Sequence, residues 1–283
     1  MNLNALVSHK FPTQKVGYTN KDTMLYALTV GAGADPLNAN DLKLVYEKQL
    51  MALPTMSAVI AYPGLWITEP AFEVNYVKLL HGEQNVIIHT PLPAHAEVIG
   101  EYRATAVIDK GADKGALVYF QKDISDAQTK EIYCNVLTTL FLRGDGGCGN
   151  FATPPPPLPS EAVEGTPFTD QYQTTLNAAL LYRLNGDMNP LHADPAVAGR
   201  AGFDRPILHG LCTYGVVGYL LTRSVCGHDP ARIRSLGVRF SSPVYPGETI
   251  RIDGTRTRDG AHFRATAVER NQVVMTNGYA RID

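Results

Sequence analysis

The stretch "PILHGLCTYGVVGYLLTRSVC", residues 206–226, decides the fold. Leu208, Leu211, Cys212, Val216, Val217, Leu220, Leu221 and Val225 recur at helical spacing, and Tyr214 and Tyr219 take the other faces. The spacing predicts a helix over about residues 208–225 that is apolar nearly all round. A helix of that kind must be covered on most sides. A curved antiparallel sheet wrapped around it provides the cover. Pro206 suits the start of the helix. Gly210 then falls in or near the first turn, where backbone N–H groups have no partner inside the helix.

The segments that follow read as strands: "SLGVRFSSPVY", "ETIRIDGTRTRDG", "AHFRATAVERN" and "QVVMTNGYARI". They are rich in Val, Ile, Thr, Tyr and Phe, and Asp-Gly and Asn-Gln between them suit antiparallel hairpins. The first part of the chain repeats this order. "LYALTVGAG" (25–33) matches "LYRLNGDMNP" (181–190), and "LPTMSAVIAYPG" (53–64) is an apolar stretch in the place of the 206–226 helix. Three strand-like runs follow, "EYRATAVIDKG", "GALVYFQKDISD" and "EIYCNVLTTLFLRG". Helix followed by several strands argues for an α+β class. Two such units, one per half, can pair their sheets side by side. The break between them is Pro-rich: Pro154 to Pro157 exclude helix and central strand. The expected organisation is a first unit over 1–149, a linker over 150–167 and a second unit over 168–283.

Composition narrows the function classes. The 283 residues are 45% hydrophobic and 18% charged with a net charge of −2, which suits a globular chain with a sizeable core. No long Lys/Arg run is present, so no nucleic-acid partner is expected. No apolar run is long enough to span a membrane. Cys134, Cys148, Cys212 and Cys226 form no C-x-x-C pair and point to a reducing compartment rather than a disulfide framework. The opening residues lack the pattern of a secretory leader, and the final "ARID" is not a Ser-Lys-Leu-type peroxisomal address. A cytoplasmic location is the expectation.

Chemistry concentrates in "LYRLNGDMNPLHADP", residues 181–195. Asn185-Gly186 between apolar runs is a hairpin signal. The alternative is that Asp187, Asn189 and His192 form a reacting centre. Pro190 disfavours helix at Asn189, so the chain bends and can aim three polar side chains at one point. A carboxylate beside an imidazole can orient a water, take one of its protons and return another, since the imidazole titrates near neutrality. The competing structural reading is a polar loop in which Asp187 and Asn189 make Asx-turns. A metal site would need His209 as a third ligand, but the spacing matches no known metal motif and no metal is expected. His209 itself reads as structural or as a rim residue.

Other strings carry less. "GLCTY" lacks the second glycine of a nucleophile elbow, so Cys212 reads as a packed thiol. "VGAGAD" lacks the third glycine of a dinucleotide fingerprint. An amide at Gly210 could bind a developing oxyanion.

Together, "YRLNGDMNPLHADP", "PILHGLCTYG" and "VRFSSPVYPGETIRI" resemble the MaoC-like, hydratase 2 family of R-specific 2-enoyl-CoA hydratases. "TMLYALTVGAG", "LLHGEQNVIIHTPLPA" and "VIDKGADKGALV" resemble the first half of its double hot-dog forms. The resemblance implies two hot-dog units, each an antiparallel sheet around a central helix. It implies that Asp187 and His192 act on one water, that Asn189 helps form the site, and that Gly210 offers its N–H to the thioester oxygen. It implies substrate contacts at His81, Gly82, Lys110, Met188, Pro190, Leu191 and Phe240. Lys110 has an independent reason, since coenzyme A carries phosphates. Arg239 is a further electrostatic candidate. The first half has Val30-Gly31-Ala32-Gly33 where the second has Gly186-Asp187-Met188-Asn189, so it would serve as an acyl-binding half without the chemistry. The implied partner is an acyl-CoA thioester, with coenzyme A part of the substrate and no separate cofactor. Exposed sheet edges favour a homodimer. An acyl-CoA thioesterase and a non-catalytic acyl-CoA-binding protein remain the alternatives.

Overall fold

Helix α6, Gly210–Ser224, lies where the sequence places it, and every residue from Cys212 to Thr222 is buried. In a computed structural model, which describes residues 1–159 and 164–283, one ten-stranded antiparallel sheet covers it. The strands are β1 (Gln14–Tyr18), β2 (Leu79–Ile88), β3 (Ala96–Asp109), β4 (Ala116–Asp126), β5 (Ile132–Leu142), β6 (Thr166–Gln173), β7 (Ile233–Phe240), β8 (Thr249–Arg256), β9 (Gly260–Ala267) and β10 (Gln272–Ile282). Short helices α1 (Leu3–Ser8), α2 (Asn20–Thr29), α3 (Leu42–Val45), α4 (Ala178–Tyr182) and α5 (Pro195–Arg200) complete the chain.

The order across the sheet is β1-β3-β4-β5-β2-β7-β10-β9-β8-β6. Each half contributes five strands, and the halves join where β2 pairs with β7, from Glu83 opposite Arg239 to Ile87 opposite Ser235. This is the double hot-dog, with its two sheets fused edge to edge. All seven strand-like runs marked in the sequence are strands. The hairpins turn as their residues suggest: Asp259 lies between β8 and β9, directly before Gly260, which opens β9, and Asn271, left-handed at φ 46°, lies between β9 and β10. β6 lies at a free edge, which accommodates Pro167. β6 begins at Thr166, so the last two residues expected in the linker are strand; residues 160–163 of that linker lie outside the described residues.

The first half departs from expectation. "LPTMSAVIAYPG" does not form a central helix; it makes one 3-10 turn, Pro54–Ala58. Pro63 disfavours helix at Tyr62, and Ala61 already has φ 47°. The carbonyls such a short turn leaves free are satisfied from the sheet. The buried Lys122 ammonium donates to Ala58 O (3.1 Å) and Ile60 O (2.6 Å), and Tyr102 Oη donates to Ala61 O (2.6 Å). Burial of Lys122 holds its pKa down to about 7.

The space that a second long helix would fill is taken by α6. A Cβ on Gly215 would lie 2.6 Å from Val30, and one on Gly218 would lie 2.6 Å from Thr55. These glycines let α6 close on the first half. Tyr219 Oη donates to Asp41 (2.7 Å), and Tyr214 Oη donates to Leu236 O (2.8 Å). One apolar core therefore runs through both halves, from Val98 to Ile252.

Candidate active site

The hairpin question resolves against a hairpin. α4 continues into a 3-10 turn, Arg183–Asn185, and Gly186 at φ 115° ends it in a left-handed conformation suited to glycine. Two Asx-turns follow. Asp187 Oδ1 accepts the Asn189 N–H (3.1 Å), and Asn189 Oδ1 accepts the Leu191 N–H (3.0 Å). Pro190 then opens a 3-10 turn that carries His192 inward. The expected Asx-turns are present, and the same loop brings Asp187 and His192 close together. Asn185 ties the loop to the first half, donating to Thr29 Oγ1 (2.9 Å). Arg183 braces it through the Met188 carbonyl (3.4 Å).

His192 is buried. Its Nδ1 contacts Ile207 O at 2.9 Å, which places the proton on Nδ1 and leaves Nε2 as an acceptor. Burial holds its pKa below the ordinary imidazole value, against the opposing pull of Ile207 O and the Asp187 charge. Its ring stacks on His209, centroids 3.8 Å apart and planes 29° from parallel. Ring nitrogens of both histidines and a carboxylate oxygen of Asp187 lie within 4.8 Å of one another. His209, fully buried, sits immediately before α6, and its Nε2 meets the Asp187 carbonyl at 3.2 Å. Burial, reinforced by His192, holds the His209 pKa down to about 4.

The sequence reading took His209 as structural or as a rim residue; it is buried rather than on the rim, and it lies against His192. The informative signal was its position beside Gly210 at the helix start. A metal among these three groups needs donor atoms converging at about 2.0–2.1 Å for zinc. The donor atoms of the three groups lie within 4.8 Å of one another, but one ring nitrogen of each histidine already faces a backbone carbonyl, His192 Nδ1 that of Ile207 and His209 Nε2 that of Asp187.

Gly210 is the first residue of α6, and its N–H has no hydrogen-bond partner among the described residues. A Cβ there would lie 3.3 Å from the Phe240 ring, so Phe240 and Gly210 bound the same space. Phe240 packs edge-on against His81 at 4.7 Å. Phe240 is therefore part of the site wall rather than core alone. The His81 ring hydrogen-bonds Gln84 Oε1 (3.0 Å), and burial pushes its pKa down to about 4 although the Asp187 charge acts the other way. Gly82 sits at a register shift in β2, where a Cβ would press the Thr139 carbonyl at 3.1 Å. Tyr62, which the sequence did not mark, also feels the Asp187 charge; burial first, then Asp187, raises its pKa to about 12.

Other expected residues fall around this centre. Met188 and Pro190 are exposed on the loop, and Leu191 is half-buried. Lys110 lies in the β3–β4 turn, three strands from β2, or roughly 14 Å across the sheet at 4.7–4.9 Å per strand. It is exposed and outside the centre. Arg239 is not a free cation: it grips Glu83 through Nε (3.0 Å) and Nη2 (2.7 Å) across the β2–β7 joint. Cys212 is a packed thiol, as expected, with its pKa raised by burial.

Residues 17–144 match the MFE-2 hydratase 2 N-terminal domain, and residues 160–278 match the MaoC like domain. "Enoyl-CoA hydratase 2, peroxisomal" of Arabidopsis thaliana is 34% identical over 99% of this chain and 95% of its own length. The chain belongs to the MaoC-like, hydratase 2 family. This family member is also 37% identical, over 96% of its length, to the "Peroxisomal multifunctional enzyme type 2" of Mus musculus, and spans 37% of that protein. Among solved structures, a MaoC-like dehydratase from Phytophthora capsici matches with a TM-score of 0.87 at 30% identity, over 100% of this chain and 99% of that one. No helix of the described residues is long and apolar enough to cross a membrane.

Proposed function

We propose that this hydratase 2 family member adds water reversibly to trans-2-enoyl-CoA, giving (3R)-3-hydroxyacyl-CoA. The observation that carries the reading is the meeting of Asp187 and His192 at one point, beside the unpartnered Gly210 amide. The thioester oxygen accepts the Gly210 N–H. That polarises the conjugated system and draws electron density from C3. A water held between Asp187 and His192 attacks C3 while one of the pair takes its proton. The electrons gathered on the thioester oxygen return through C2, which takes a proton from the same face. The two groups share these proton steps as a coupled pair. Asn189 contributes by fixing the loop that carries both.

Coenzyme A enters as part of the substrate, with its thioester end at Gly210 and Phe240 and its phosphates toward Lys110. Gly82, Met188, Pro190 and Leu191 complete the contacts. His81, held neutral, lines the acyl side with Phe240. A homodimer belongs to the same proposal, with β1 and β6 as the free edges.

Asp187→Ala and His192→Ala should each lower kcat for crotonyl-CoA hydration by about 10²–10⁴-fold. Acyl-CoA affinity should stay near that of the parent. Loss of enoyl absorbance, with chiral analysis of the product, measures this. Release of free thiol would point to thioester hydrolysis instead, and an S product or fully active variants would overturn the assignment.

A further inference from the structure

We propose that His209 is a positioning residue for the hydration step, locking the His192 ring plane and the Asp187 backbone into one arrangement. The inference rests on the hydratase reading above. His192 is held by one hydrogen bond, Nδ1 to Ile207 O at 2.9 Å. A single bond leaves an imidazole free to swing about that contact. The face of His209, stacked 3.8 Å away, is what stops the swing. His209 in turn is pinned between His192 and the Tyr182 ring, centroids 5.1 Å apart, so it has little freedom of its own. Through Nε2 it holds the Asp187 carbonyl at 3.2 Å, and it is chain neighbour to Gly210. One side chain therefore touches the ring of His192 and the backbone of Asp187, and adjoins the Gly210 amide.

A purely structural role fits poorly. Donation from Nε2 leaves Nδ1 as a lone pair, and that atom is buried with no hydrogen-bond partner among the described residues. A buried unpaired acceptor costs stability, and an apolar ring would fill the same space without that cost. Groups of this kind persist where function requires them. Asp187, His192, Arg183 and Tyr182 are the titratable groups around the ring. Burial keeps the ring neutral, and a neutral ring can stack on His192 while that partner takes up and releases a proton.

Two variants separate the contacts. His209→Phe keeps the stacking face and loses the donor to Asp187. His209→Gln keeps a donor and loses the face. In crotonyl-CoA hydration each should lower kcat by about 10- to 100-fold, the scale expected when reacting groups are misplaced by about 1 Å. KM should be unchanged within about two-fold, because the acyl-CoA contacts are elsewhere. The acid limb of the kcat–pH profile, set by His192, should also move. A residue with only a structural role would lower the thermal midpoint and leave kcat per folded molecule and the pH limb as they were. That result, or a rise in KM at constant kcat, overturns the proposal. Nitrogen NMR of the wild-type imidazoles provides a readout independent of variant folding: it should show Nε2–H at His209 and Nδ1–H at His192. An Nδ1–H tautomer at His209 overturns the proposal as well. Asp187→Ala measured alongside keeps the two failures apart, since full activity there defeats the hydratase site itself, whereas an inactive Asp187→Ala with unaffected His209 variants defeats only the role of His209.

Discussion

"LYALTVGAG" and "LYRLNGDMN" occupy equivalent places in the two halves, and the fold brings them face to face. Tyr26 and Tyr182, matching positions, have ring centroids 6.2 Å apart. Thr29 and Asn185, also matching, share a hydrogen bond. Contact between equivalent residues is what an internal two-fold relation produces. Beyond those pairs the halves part. After Asn185 the second half turns at Gly186 and presents Asp187 beside the start of a fifteen-residue helix. After Thr29 the first half reaches Gly31, where the Tyr172 ring lies 2.9 Å from the place of a Cβ, and no long helix begins nearby. The difference teaches that the two halves diverge twice at one place: the first has neither an acid at the position of Asp187 nor a long helix starting beside that loop, whereas the second has both among the described residues.

Acid weighs on both halves and more on the second. His192 and His209 are buried there, whereas His81 is the one shifted histidine among the described residues of the first half. In the folded chain the His209 ring takes a proton only near pH 4, whereas the unfolded chain takes one near 6.5. Between those values the unfolded state binds more protons, so stability falls as pH falls and is full above about 6.5. The loss approaches roughly 3 kcal/mol by pH 4 at about 1.36 kcal/mol per unit. Denaturant titrations across that window should show it, together with a comparable loss from His81, which burial also holds down to about 4, and a further one from His192; His209→Gln should remove only its own share of the slope. A pH-independent midpoint in the parent would break this half of the comparison.

Glycines provide the next two tests. Gly210→Val places a branched side chain against Phe240 and over the amide, and kcat/KM should fall by about 10²-fold, the scale of one oxyanion donor. Gly31→Ala imposes a side chain at φ 106° against Tyr172, and chemical denaturation should show a loss of about 1–3 kcal/mol with kcat retained. If Gly31→Ala lost activity with stability intact, the first half would be closer to the chemistry than its geometry indicates. Thr29→Val is the mildest change. It removes the hydrogen bond at the joint and should cost about 1 kcal/mol, with a several-fold fall in kcat as the Asp187 loop loosens. Equal kcat in parent and variant would show that Arg183 and the Asx-turns hold the loop unaided.

Seven strands, the all-round apolar helix and the Asp187, Asn189 and His192 loop were legible from local pattern and motif. β1, β2 and β6 were not marked. β2 carries Gly82 at a register shift, and β6 carries a proline, so both break the alternation that marks a strand. The first-half stretch at 53–64 misled because hydrophobic content alone does not distinguish a helix from a buried turn.

The sequence by itself determined the class of fold and showed the repeat between the halves, because spacing and turn residues are properties of neighbouring residues, whereas it offered Asp187 and His192 as acid and imidazole only through the resemblance of their loop to a known family. Only the tertiary structure decided that α6 fills both halves, that His209 stacks on His192, and that Arg239 is already paired with Glu83. Each of these depends on contacts between residues far apart in the chain, from 17 positions for the two histidines to 156 for the ion pair, and local pattern carries no record of which distant partner arrives.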